Sequence, residues 1–210
     1  MSELSTHRNV IVAVDVQNDF INGSLAVTDG EAVVAPINHL TEVARNNGDT
    51  VVFTRDWHPQ ETPHFNAWPV HCVAETEGAD FYPALQIDSG DIIISKGMGQ
   101  TDGYSGVEGY DQAGNTLETL IAPKTAQEKV HVFIGGLATD YCVKATALDL
   151  AKQFHDEPRV KLYLIRDAVR AVKLQQDDER KALEAMSEAR IEALNSDEIL
   201  RQFMSQEVTQ

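Results

Sequence analysis

The chain has 210 residues, two of them cysteine, with 33 acidic against 17 basic side chains and a formal charge of −16. A surface so anionic repels phosphates, which speaks against nucleic acid or an anionic membrane as a partner. No apolar stretch approaches a membrane span, two cysteines make no disulfide framework, and the polar opening MSELSTHRN lacks a signal peptide's apolar core; the expectation is one cytoplasmic domain over residues 1–210 with both thiols free.

Asn9 to Val16, NVIVAVDV, is a near-continuous apolar run of the kind that burial on both faces of a parallel sheet requires, and it carries Asp15 at its end. After a loop rich in Asn, Asp and Gly, Val33, Ile37, Leu40 and Ala44 mark an amphipathic helix closed by Asn46-Asn47-Gly48. Thr50 to Thr54 is the second strand. Arg55 to Pro83 holds four prolines, two tryptophans and three histidines without periodicity, and an irregular loop that long is usually functional. Asp91 to Ser95 is the third strand, with Lys96 at its carboxyl end, and Gly97 to Gly114, with six glycines, is a second long loop. Asn115 to Glu118 has capping-box spacing for a short helix.

Val130 to Ile134 is a β-branched run that stops at Gly135-Gly136. Thr139 or Asp140 then stands as a helix N-cap, and Val143, Ala147, Leu150 and Phe154 form the apolar face behind it. Cys142 therefore falls in a first helical turn, where free N–H groups and the macrodipole favour a thiolate. Val160 to Ile165 is a fifth strand and Gln176 to Ser187 a helix. Arg190 to Leu194 is a short sixth strand before a new helix start at Ser196. Strands alternating with helices imply an α/β fold: a six-stranded, mostly parallel sheet with helices on both faces and its ligand site at the carboxyl ends of the strands. Asp15, Lys96 and Cys142 all fall at those ends.

A thiolate attacking a carbonyl needs a base to take its proton and return it to the leaving nitrogen. Asp15 can serve, with Lys96 as the cation that lowers the thiol pKa. Taken singly, Asp15 reads as a turn aspartate, Lys96 as a solvated lysine and Cys142 as a small buried apolar residue; their common location at the sheet's rim favours the functional reading. Asp56 and His58 alternate on an extended segment, with His64 and His71 in loop reach, and this donor set suits one divalent metal ion, zinc before iron or manganese. Cys72 reads as structural, and His7, His39, His131 and His155 as ordinary surface or packed histidines.

DVQNDF at Asp15–Phe20, DWHP, WPVHC, KG at Lys96, YSG at Tyr104 and GGLATDYCV together resemble the nicotinamidases of the isochorismatase-like cysteine hydrolases, from Asn9 to about Val169. The resemblance implies nicotinamide hydrolysis to nicotinate and ammonia in NAD salvage, with pyrazinamide also accepted. It implies Cys142 as nucleophile, Asp15 as base and acid, and Lys96 as their electrostatic partner. It implies, further, a cis peptide at Leu137-Ala138 and an oxyanion hole from the N–H groups of Ala138 and Cys142. Asp56, His58 and His71 match the family's metal ligands, His64 a position that varies within it, and Phe20, Trp68 and Tyr104 the pocket lining. The rival enzyme is an amidohydrolase whose metal activates water while Cys142 is structural. A phosphoacceptor module is the non-enzyme rival, and the histidine loop is foreign to it. The partner expected is a small-molecule amide; the oligomeric state, a homo-oligomer included, is left open.

Overall fold

In the computed structural model, which describes residues 6–99 and 101–207, six parallel strands form one sheet in the order β3-β2-β1-β4-β5-β6. The elements are β1 (His7–Val14), α1 (Asn18–Ile21), α2 (Val34–Asn46), β2 (Thr50–Asp56), β3 (Ile92–Lys96), α3 (Leu117–Ile121), β4 (Lys129–Leu137), α4 (Lys144–Gln153), β5 (Val160–Arg170), α5 (Asp178–Glu188), β6 (Glu192–Leu194) and α6 (Ser196–Glu207). The period-two alternation of strand side chains sorts the core into two layers. Ile11, Ala13, Phe53, Phe133 and Tyr163 pack with Ile37 and Leu40 of α2 and Ile199 and Phe203 of α6. On the opposite face Val10, Val12, Val14, Val132 and Ile134 pack with Leu117 of α3, Ala147 and Leu150 of α4 and Met186 of α5. Both faces of β1 and β4 are therefore dry, which is why their sequences read as unbroken apolar runs. Among the described residues no helix is long and apolar enough to cross a membrane.

This strand order reverses direction between β1 and β4, and the loops leaving such a switch point part to open a crevice at the carboxyl ends. Asp15 follows β1 and Cys142 follows β4, so the two flank that crevice.

Several local expectations are revised. The glycine pair does not end β4, which runs on to Leu137 through a register shift between Ile134 and Gly136. Gly136 has φ +114°, and a Cβ there would lie 2.0 Å from the Val14 carbonyl oxygen, so only glycine lets the two strands stay this close. Neither Thr139 nor Asp140 caps a helix. A π-helical turn, Thr139–Val143, begins after Ala138 without a side-chain cap, and Asp140 turns away to accept from the N–H groups of Val172 and Lys173 at 2.9 Å each. Cys142 thus lies in that wide turn ahead of α4 rather than in an α-helical first turn. The capping box of α3 is built one residue later than expected, by Thr116 and Thr119, because Asn115 is occupied with Asp111. Ser196 opens α6 as expected, yet its hydroxyl goes to Asp167; the reach-back to the helix start is Glu198 accepting from the Asn195 N–H.

Candidate active site

Three strand ends bring the reactive groups together. Asp15 sits just beyond β1 with φ +51°, a left-handed conformation that aspartate tolerates better than most residues. Its Oδ1 accepts from the Thr54 hydroxyl at 2.7 Å and its Oδ2 lies 2.8 Å from Lys96 Nζ. Lys96, the last residue of β3, is fully buried. Its ammonium also reaches Asp56 Oδ1 at 2.5 Å, the Gly103 carbonyl at 3.0 Å and Cys142 Sγ at 3.5 Å. A buried ammonium has three protons to place, and Asp56, the Gly103 carbonyl and the Cys142 sulfur accept them, while Asp15 stands beside it as an ion-pair partner.

The electrostatics follow from that burial. Desolvation penalises the Lys96 cation, but Asp15 and Asp56 outweigh it and hold the ammonium well above its ordinary pKa. Burial pushes the Asp15 carboxyl up, with Lys96 opposing and Asp56 adding to the rise. Burial acts on Asp56 in the same direction, yet Lys96 and His58 overcome it and keep that carboxylate below the usual range. Burial likewise raises the Cys142 thiol well above its free value; Lys96 pulls it down, but Asp15 and Asp56 push it up again. The net shift is thus opposite to the lowering expected from a helix start and Lys96. The site holds a thiol beside a carboxylate made more basic than usual, so the proton must be handed over during reaction.

The second cluster hangs from β2. Asp56 ends that strand, and two residues on His58 pairs its backbone with the later part of the same loop, its N–H donating to the Cys72 carbonyl and its carbonyl accepting from the Ala74 N–H. This pairing folds the long loop back on itself and delivers His71 beside His58. A 3₁₀ turn over Pro63–Asn66, capped by the Thr62 hydroxyl, delivers His64. The three rings lie with centroids 4.9 to 5.3 Å apart, and one nitrogen from each falls within 4.8 Å of the others. Each outer nitrogen is occupied: Nδ1 of His58 donates to the Gly97 carbonyl at 2.9 Å, that of His71 to the Pro69 carbonyl at 2.7 Å, and that of His64 to Asp102 Oδ1 at 2.9 Å. That leaves Nε2 with its lone pair on each, the tautomer a metal requires. His58 Nε2 is buried without a hydrogen-bond partner, and Asp56 Oδ2 lies 3.7 Å from it. An orphaned imidazole nitrogen facing two others and a carboxylate fits a tetrahedral divalent ion.

Between the clusters lies a small, mostly apolar pocket lined by Phe20, Leu25, Asp56, His64, Trp68, His71, Tyr104, Ala138, Tyr141, Cys142 and Val172. A wider groove beside Asn18, Glu77 and Tyr82 contains no nucleophile or histidine. Trp68 donates from its indole to the Tyr104 hydroxyl at 2.8 Å and meets Tyr141 edge-on at 4.9 Å. The Leu137-Ala138 peptide is cis. Of the residues singled out in the sequence, Phe20, Asp56, His64, Trp68, His71, Tyr104, Ala138 and Cys142 line this pocket, while Lys96, Asp15 and His58 sit behind it, Lys96 against Cys142, Asp15 against Lys96 and His58 near Asp56. Thr54, Asp102, Gly103 and Tyr141 were not foreseen. Tyr141 adjoins Cys142 and could have been suspected; Thr54 and Asp102 act on partners 39 and 38 residues away, and Gly103 acts through its main-chain carbonyl, so none of the three carries a local signal.

A family model described as the isochorismatase domain matches residues 9–198. The nicotinamidase/pyrazinamidase of Mycobacterium tuberculosis is 40% identical over 151 residues, covering 68% of this chain and 78% of that protein. The pyrazinamidase of Pyrococcus horikoshii, solved in complex with zinc, superposes with a TM-score of 0.75 at 34% identity, covering 90% of this chain and 99% of that one. A Leishmania infantum structure in complex with nicotinate superposes with a TM-score of 0.73 at 28% identity, over 94% and 96% of the two chains.

Proposed function

The chain belongs to the isochorismatase family, and on that footing we propose that it hydrolyses nicotinamide to nicotinate and ammonia through a thioester on Cys142. The observation that carries the reading is the meeting of Cys142 Sγ, Lys96 Nζ and the Asp15 carboxylate beside an aromatic-walled pocket that His64 and His71 also line.

In the first half-reaction Asp15 takes the thiol proton as Cys142 Sγ attacks the carboxamide carbon. Lys96 stabilises the thiolate character that develops on sulfur, and the N–H groups of Ala138 and Cys142 are assigned to the oxyanion. Asp15 then gives the proton to the departing nitrogen, the C–N bond breaks, and ammonia leaves behind a thioester. In the second half Asp15 takes a proton from water as its oxygen attacks the thioester carbon. The C–S bond breaks with its electron pair going to sulfur, Asp15 returns its proton there, and nicotinic acid departs and ionises to nicotinate, its proton converting the released ammonia to ammonium. Asp15 ends as it began, and so does the thiol.

Phe20, Trp68 and Tyr104 are assigned to hold the ring. His58, His64 and His71 would hold the metal, with Asp56, whose Oδ2 faces His58, assigned as the fourth donor, and we assign zinc from the borderline-soft donor set and the zinc complex of the related pyrazinamidase. Bound there, the ion supplies a Lewis acid for the ring nitrogen of the substrate. Pyrazinamide, which keeps that nitrogen and the carboxamide, is a second substrate on this reading.

Ammonia release from nicotinamide, pyrazinamide and an aliphatic amide, together with mass spectrometry of acid-quenched enzyme, tests the proposal. Turnover of the two ring amides with an acyl adduct on the peptide containing Cys142 supports it. Turnover with no adduct under conditions that accumulate the intermediate favours metal-activated water instead.

A further inference from the structure

The glycine-rich loop that follows β3 touches the site at four points. The Gly97 carbonyl holds His58, Asp102 holds His64, the Gly103 carbonyl accepts from Lys96, and the Tyr104 hydroxyl accepts from Trp68. The two ends of this loop press backbone on backbone: Gly103 has φ +64°, and a Cβ there would stand 2.4 Å from the Gly97 Cα. A shift of residues 102–104 is therefore felt at Gly97, and through Gly97 at His58.

Of the three histidines, His58 and His71 have their outer nitrogens held by main-chain carbonyls, which no side-chain substitution removes. His64 alone is held by a side chain. We propose that Asp102 is a positioning residue that sets metal affinity through His64 and, because Gly103 and Tyr104 follow it directly, lets metal binding hold the Lys96 and Trp68 contacts in place. This rests on the reading that the histidine cluster binds a metal.

The chemistry is that of an outer-shell ligand. Asp102 is 62% exposed, so as a charge pair it contributes little. Its effect is geometric: a carboxylate on Nδ1–H fixes the imidazole tautomer and aims Nε2, and removing such partners typically weakens metal affinity by roughly 10- to 100-fold. Contact of the His64 ring with Tyr104, centroids 5.6 Å apart, gives the same ring a second route to the pocket wall.

Zinc affinity of the full chain, measured by competition with a chromogenic chelator for wild type, Asp102→Ala and Asp102→Asn, is the test. The expectation is roughly 10- to 100-fold weaker binding for the alanine variant and a smaller loss for asparagine, whose amide oxygen still accepts from Nδ1–H. Excess zinc should restore most of the turnover number of Asp102→Ala. Hydrogen exchange at residues 101–104 should slow on zinc addition in wild type and not in that variant. Thermal melts of the metal-free proteins show whether the variant folds as wild type does. Equal zinc affinity in a folded Asp102→Ala protein overturns the role of Asp102 while leaving the metal site standing. A wild-type chain that binds no zinc overturns the metal reading itself, and this one with it.

Discussion

Asp56 and Lys96 face each other across the last rung of the β2–β3 ladder, and from that rung the Asp56 carboxylate points one oxygen at Lys96 Nζ, 2.5 Å away, and turns the other toward His58. One carboxylate thus joins the cysteine cluster to the histidine cluster. Strand register alone creates the contact, since 40 residues separate the two positions.

Because Lys96 pairs with two buried carboxylates, removing its charge leaves both without that partner. Lys96→Met should lose turnover and also destabilise the fold by about 3–5 kcal/mol, the usual cost of breaking a buried ion pair from one side. Denaturant titration reads the second effect, and a stability within experimental error of wild type would contradict the ion network as described.

Cys142 forms the only covalent bond to substrate in the proposed cycle. Cys142→Ala should abolish turnover and retain zinc and the wild-type melting profile, since sulfur is no ligand of the histidine cluster. Substantial activity in a metal-replete preparation of this variant would leave the thioester route untenable.

Asp15 carries a proton in both halves of the cycle. Asp15→Asn keeps the shape and the capacity to accept from Thr54 but takes no proton, so kcat should fall by roughly 10²-fold or more with little change in KM. A change confined to KM would move the base elsewhere.

The metal's task separates the two mechanisms through substrate choice. With the ring nitrogen as anchor, benzamide should be a much poorer substrate than nicotinamide, an aliphatic amide poorer still, and chelation should reduce kcat/KM for nicotinamide far more than for benzamide. Equal rates for both aromatic amides, both abolished by chelator, would revive metal-activated water.

Far from this chemistry, burial beside His7, Lys161 and Lys129 pushes the His131 imidazole down to about 4, with the Phe133 and Tyr163 rings against it. The unfolded chain then binds a proton at this residue below about pH 6.5 that the folded chain refuses until about pH 4. Stability contributed by neutral His131 is therefore present above that window and lost as pH falls through it. Between pH 6.5 and 4 the melting temperature of wild type should drop more steeply than that of His131→Gln, and parallel curves would refute the assignment.

Patterns confined to a few neighbouring residues were legible in the sequence. The apolar runs of β1 and β4, the helical spacing behind Cys142 and the histidine-bearing loop follow from local periodicity and side-chain chemistry, the short sixth strand followed only from the new helix start at Ser196, since helix periodicity could have run on through 190–194, and the strand ends already placed Asp15, Lys96 and Cys142 on one rim. Tertiary structure decided the rest. Whether Asp140 capped a helix or clamped Val172 and Lys173 depended on where β5 ended. That Thr54 serves Asp15, and Asp102 serves His64, depended on register and loop closure across more than 35 residues. The direction of the Cys142 pKa shift reversed for the same reason: a lysine nearby argues for a lowered value, but how far the site is desolvated, and how many carboxylates share the lysine, is set only when distant strands close over it.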